Sequence, residues 1–167
     1  MKKVIWIVLA LTMVLSMAAC GEKDKQPAEV GGNTQTQIAT PFVDCETLDD
    51  AAKIAGFSLT APASVPNWVN ETQIRAVEND MIELIYTGIE QQQLRVRKAN
   101  GNDDISGLYD SFDEVTEMTV DDLVVEIKGN GGKIYVATWT ADDFTYAIST
   151  TEGLEQTHVE PLVSDIK

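Results

Sequence analysis

Met81-Ile82-Glu83-Leu84-Ile85-Tyr86-Thr87, then Gly88 to Gln91, then Gln93-Leu94-Arg95-Val96-Arg97 is the stretch whose reading decides the fold. Side chains alternate sides along a strand, so a strand with one wet face carries apolar residues at every second position. Ile82, Leu84 and Tyr86 fall on one face of the first segment, and Leu94 and Val96 on one face of the second. The short connection between them makes the pair an antiparallel hairpin.

The same period continues outward in both directions. Upstream, Gln73 to Glu78 reads as a strand, and Phe57 to Thr60 as a short one before a loop punctuated by Pro62 and Pro66. Downstream, residues 99–112 are polar, with Gly101, Asp103, Asp104 and Gly107, and read as a loop. Val115 to Val120 and Leu123 to Lys128 form a second strand pair, and Asn130-Gly131-Gly132 turns the chain. Lys133 to Thr140 and Phe144 to Thr150 form a third pair across Ala141-Asp142-Asp143.

Helical period appears only at the two ends of this run. Thr47 is an N-cap residue with Asp49 and Asp50 in the first turn behind it. Leu48, Ala51, Ala52, Ile54 and Ala55 then make an apolar stripe that stops at Gly56. At the C-terminus, Thr157-His158-Val159-Glu160 fits a capping box, with Pro161 at N4 and Leu162, Val163 and Ile166 facing inward. Helix, about six or seven antiparallel strands, then helix is an α+β order.

The first residues follow a different logic. Lys2 and Lys3 are followed by an apolar run from Val4 to Leu15, broken only by Thr12. About 12 residues of helix span roughly 18 Å, short of a bilayer core of about 30 Å, so the segment reads as an export signal. It ends in Leu15-Ser16-Met17-Ala18-Ala19-Cys20-Gly21, which resembles a lipobox, the signal of bacterial lipoproteins. Met17 stands where leucine is usual and is similar in size and apolarity. The resemblance implies cleavage between Ala19 and Cys20 and a diacylglyceryl group on the Cys20 sulfur. Each buried methylene adds about 0.8 kcal/mol of membrane affinity, so two long chains anchor stably.

Three segments result: residues 1–19 as the signal peptide, 20–41 as the lipidated cysteine and a tether, and 42–167 as the domain. The tether is rich in Lys, Glu, Gln, Gly, Asn and Thr, and buries too little apolar surface to fold. As a flexible coil of about 20 residues it holds the domain roughly 25 Å from its anchor. The expected location is the outer, extracytoplasmic face of the cell membrane.

Charge excludes one class of partner. The chain carries 12 basic and 27 acidic residues, a net charge of -15, and clusters no Lys or Arg beyond Arg95-Val96-Arg97-Lys98. Phosphate backbones need such clusters, so no nucleic-acid partner is expected. Membrane contact is expected only through the lipid on Cys20.

From about Phe57 to Ile166 the chain also resembles the DUF4367 domain family, found in lipoproteins and membrane-anchored proteins of Gram-positive bacteria. The residues that carry the resemblance are Pro62, Val65-Pro66, Tyr86, Asp104-Ile105-Ser106-Gly107, Tyr109, Val124 to Lys128, Gly131-Gly132, Trp139, Tyr146, and the final Leu162, Val163 and Ile166. It departs at Asn67-Trp68, where the family has Gly-Tyr. The resemblance implies a curved antiparallel sheet with packed helices. It implies no activity and no catalytic residue.

Candidate chemistry is sparse, and no catalytic residue, metal site or cofactor is expected. With Cys20 acylated, Cys45 is a lone thiol before a helix, and the single histidine, His158, lies far along the chain. Zinc needs three or four ligands with local spacing, and no Gly-x-Ser-x-Gly elbow marks a hydrolase. Asp103-Asp104 and Asp142-Asp143 lack the further oxygens that calcium requires and read as turn residues. Tyr135 and Trp139 share a strand face by period, with Ala137 between them and small Ala147 opposite, and are the candidate ligand-facing residues. The first functional reading is a non-enzymatic binding or sensing module for a protein, peptide or envelope component. The alternatives are a carrier of an apolar ligand on the sheet face of Tyr135 and Trp139, and a hydrolase with two carboxylates about 5–9.5 Å apart.

Overall fold

The alternation around Glu83 and Arg95 folds into the central hairpin of one eight-stranded sheet. The computed structural model describes residues 40–167. The expected signal peptide at 1–19, Cys20 and nearly all of the expected tether therefore lie outside the described residues. The elements run β1 (Val43–Cys45), α1 (Leu48–Ala55), β2 (Val69–Val77), β3 (Met81–Gly88), β4 (Gln93–Asn100), β5 (Glu114–Val120), β6 (Leu123–Asn130), β7 (Lys133–Ala141), β8 (Phe144–Leu154) and α2 (Gln156–Asp165). Their order in the sheet is β1-β2-β3-β4-β8-β7-β6-β5, antiparallel throughout. Two four-stranded meanders meet where β4 pairs with β8, Val96 opposite Ile148. The sheet is open, with β1 and β5 at its edges. Among the described residues no helix is long and apolar enough to cross a membrane.

One sheet face carries the core. Ile82, Leu84 and Tyr86 of β3, Leu94 and Val96 of β4, and Tyr146 and Ile148 of β8 are buried in one apolar cluster. Ala51 and Ala55 of α1 and Val159, Leu162 and Val163 of α2 close that cluster from above. Each large apolar side chain buried this way contributes about 1.5–3 kcal/mol. Trp139 is 4% exposed inside the cluster and stacks on Tyr146, with ring centroids 5.3 Å apart and planes 4° apart.

The first helix starts and stops as its residues dictate. Thr47 is extended, its Oγ1 accepts from the Asp50 N–H at 3.1 Å, and Gly56 ends the helix at φ 84°, a conformation that costs glycine nothing. The second helix begins one residue earlier than a capping box at Thr157 requires. Its N-cap is Glu155, which makes no side-chain cap bond. The amides of His158 and Val159 both donate to the Glu155 carbonyl, so Thr157 is already helical, and Glu160 instead accepts from Gln156 at 2.8 Å.

The strand count is eight rather than six or seven. β1 is only three residues long, too short to show a period, and owes its existence to pairing with Ile74–Ala76. The expected strand at Phe57–Thr60 does not form. Its polar backbone is satisfied outside any ladder: the Lys98 amine donates to the Ser58 carbonyl at 2.8 Å, and Thr60 N–H donates to the Lys167 carbonyl at 2.9 Å.

The second sheet face is covered in part by the segment 101–113. The Thr145 hydroxyl donates to the Gly101 carbonyl at 2.6 Å, Arg97 Nη1 donates to the Ile105 carbonyl at 2.6 Å, and Asp113 N–H donates to Asn130 at 2.7 Å. These ties lay an irregular strap over β4 and β8 and on to the end of β6.

Candidate functional site

The residues expected to face a ligand do not come together. Val136 pairs with Lys128 and Ile134 with Gly129, which leaves Tyr135 as the extra residue of a β-bulge. The bulge breaks the alternation that sequence period assigns to Tyr135 and Trp139. Trp139 points into the core, whereas Tyr135 packs on Phe112 of the strap, ring centroids 6.1 Å apart. A concave surface shared by the two rings is thus not formed.

A cleft of about 440 Å³ opens elsewhere, between residues 64–68 and the first turns of α2. Val65, Pro66, Trp68, Leu154 and Leu162 give it apolar walls, and Asn67, Thr157 and His158 supply polar groups at its rim. Its walls are fixed from several sides. The Ala63 amide donates to the Asp165 carboxylate at 3.0 Å, and Val69 N–H donates to the Pro66 carbonyl at 3.1 Å. Trp68 lies against Gly88, where an added Cβ would stand 3.0 Å from the indole. Pro161, inside α2 and on the cleft wall, supplies no N–H to the Thr157 carbonyl one turn back. An apolar cavity with a few polar groups at its rim is the usual form of a small-ligand site.

The buried polar centre lies on the other side of the sheet. Arg75, Glu83 and Arg97 are directly opposite one another on β2, β3 and β4. Glu83 is fully buried and takes both guanidinium groups, Arg75 on one oxygen and Arg97 on the other. Arg97 then reaches up to Ile105, so the ion triad pins the strap. Register makes this row legible in principle, since pairing Thr87 with Gln93 across the turn places Glu83 opposite Arg97. Period alone flags only that Glu83 and Arg97 share the non-core face, which is ordinarily wet.

The remaining candidates have structural partners. Cys45 donates to the Val43 carbonyl at 3.5 Å, and burial, helped by Asp50 and Asp44, pushes its thiol up, away from the thiolate form. His158 is exposed at the cleft rim. Asp142 and Asp143 both have positive φ, 51° and 67°, at the tip of the β7–β8 hairpin. Asp104 accepts from the Ser106 amide at 2.8 Å and pairs with Lys128 at 3.2 Å. Burial pushes the Asp104 carboxyl up, but Ser106 and Lys128 outweigh it and hold it below the usual range. Lys98 sits among Phe57, Phe144 and Tyr146, its amine 4.4 Å from the Phe144 centroid, and burial lowers its pKa against the opposing pull of Asp142. Among the described residues no three His, Cys, Asp or Glu side chains converge as metal ligands.

No family model, curated protein or solved structure matches the chain. The resemblance to the DUF4367 family therefore rests on its own residues.

Proposed function

We propose that the chain is a bacterial extracytoplasmic lipoprotein, held to the membrane by lipid on Cys20, whose domain serves as a non-enzymatic binding or sensing module. The single observation that carries the binding role is the fixed cleft beside Trp68 and His158. At about 440 Å³ its size suits one small molecule or one protruding group of an envelope component. The lipobox-like end of the leader and the DUF4367-like residues support the setting. The alternative of a carrier built on Tyr135 and Trp139 has less support, because the bulge at Tyr135 parts the two rings. A carboxylate hydrolase has less still, because Glu83, the fully buried acid, is engaged by two arginines.

The test uses the full-length chain in an uncharged detergent. Indole, hexanoate and N-acetylglucosamine are titrated in while amide resonances are followed by NMR. The proposal expects at least one of them to move Thr157 and His158 saturably, to come through unaltered, and to lose its effect in Trp68→Ala. Resonances that stay still for all three, or chemical turnover of a probe, would overturn it.

A further inference from the structure

The two edges of the sheet differ in a way that points outward. β1 is three residues long, a length that offers little to another strand. β5 is seven residues long and, among the described residues, has no neighbouring strand on its outer side. Glu114, Val115, Thr116 and Glu117 alternate between the two faces, yet all four are exposed. α2 lies beside Thr119 and Val120, and the strap runs into Glu114 and brings Asp103 and Asp104 to the same shallow hollow as Glu117, yet Glu114 to Glu117 all stay exposed. Its outer backbone groups are therefore free to join a ladder.

The side chains beside that edge select a partner. Glu117 stands directly opposite Glu126 of β6, on the sheet face that the strap also lies over. Like charges so placed destabilise a sheet. Lys128 pairs with Glu126 at 3.1 Å and with Asp104 at 3.2 Å, while Glu117 has no cationic partner among the described residues. Exposed Val115 and Val124 flank the two acids on the same face, at 55% and 61% accessibility. An acidic pair between two exposed valines is a surface that both charge and apolar contact would complete.

We infer that the β5 edge is a docking site for an extended segment of a partner protein, one whose every second residue is cationic and apolar in turn, so that both kinds of side chain lie on the face of Glu117 and Val115, and that adds to the sheet as a ninth strand. Backbone hydrogen bonds hold such a segment, and the side chains of every second residue give it specificity. A second copy of the chain fits poorly, since it would bring the same Glu114 and Glu117 to the contact and a net charge of -15 with them. The site is separate from the Trp68 cleft, so either can fail without the other.

Two capped nine-residue peptides, in which Lys and Val or Glu and Val take turns at every second position with Thr between them, serve as probes for the full-length chain in uncharged detergent. Calorimetry reads affinity, and amide hydrogen exchange reads protection along Glu114–Val120. The Lys–Val peptide should bind, protect β5, and weaken at least tenfold when salt is raised from about 0.05 to about 0.5 M, as screening requires. Glu117→Lys combined with Glu126→Lys should weaken it at least tenfold and create binding of the Glu–Val peptide. Should that pair misfold, Glu117→Gln with Glu126→Gln should still weaken the Lys–Val peptide. The inference is overturned by equal binding of the two peptides, by binding that leaves β5 unprotected or survives either substitution, by absence of Lys–Val binding, or by self-association through β5.

Discussion

Arg97 holds Glu83 with two of its nitrogens: Nε donates to Oε1 at 2.8 Å, and Nη2 lies 2.6 Å from the same oxygen. With Arg75 on the second oxygen, each carboxylate oxygen meets a guanidinium. Removing the acid alone leaves two guanidinium groups facing each other where Arg97 is largely buried and Arg75 only partly exposed. Glu83→Gln should therefore cost about 3–5 kcal/mol in denaturant unfolding. Adding Arg97→Met to Glu83→Leu should recover much of that loss, while hydrogen exchange in residues 101–113 accelerates because Ile105 has lost its donor. Equal losses in the single and double variants would show that the triad is not a coupled unit.

Gly107 occupies the strap where it crosses Arg97. Its φ is +69°, and an added Cβ would overlap the Arg97 guanidinium. Gly131 has a similar φ, +60°, but nothing within 4 Å. Gly131→Ala should cost roughly 1 kcal/mol, from backbone strain alone. Gly107→Ala should cost about 1–2 kcal/mol more, because it also displaces a buried ion pair. Parallel urea titrations compare the two, and indistinguishable midpoints would contradict the packing described here.

Tyr86 gives the fold an alkaline limit. Burial pushes its phenol up to about 12, whereas an unfolded chain ionises near 10. The folded state keeps its proton longer, so its stability is intact below pH 10 and is lost as pH rises from 10 through 12. The loss attributable to this group is about 2–3 kcal/mol. Tyr86→Phe should flatten that part of the stability–pH curve, measured by urea unfolding at pH 9, 10 and 11. A curve with unchanged slope would contradict the buried placement of the hydroxyl.

Local chemistry made much of the fold readable. Alternation located β2 through β8, because each has one face in the core, and Thr47 and Gly56 bound α1 by capping alone. The unreadable parts depend on distant partners. β1 exists by pairing with β2, and Phe57–Thr60 fails as a strand because the C-terminus and Lys98 claim its carbonyl and amide groups. Tyr135 left its expected face through a bulge at Ile134–Val136, which the period of its own strand does not signal. The cleft was equally hidden, since Trp68 and His158 are ninety residues apart and no period links a loop to a helix. His158 was legible as a residue near a helix start, but not as one beside an indole.

The setting of all this chemistry turns on Cys20, and intact mass spectrometry of protein extracted from bacterial membranes tests it most directly. The account predicts a chain that begins at Cys20 and carries a diacylglyceryl adduct there, with Cys20→Ala unlabelled by fatty acid and released from the membrane. A mature chain with an unmodified Cys20 thiol, or an alanine variant that stays membrane-bound to the same extent, would contradict it.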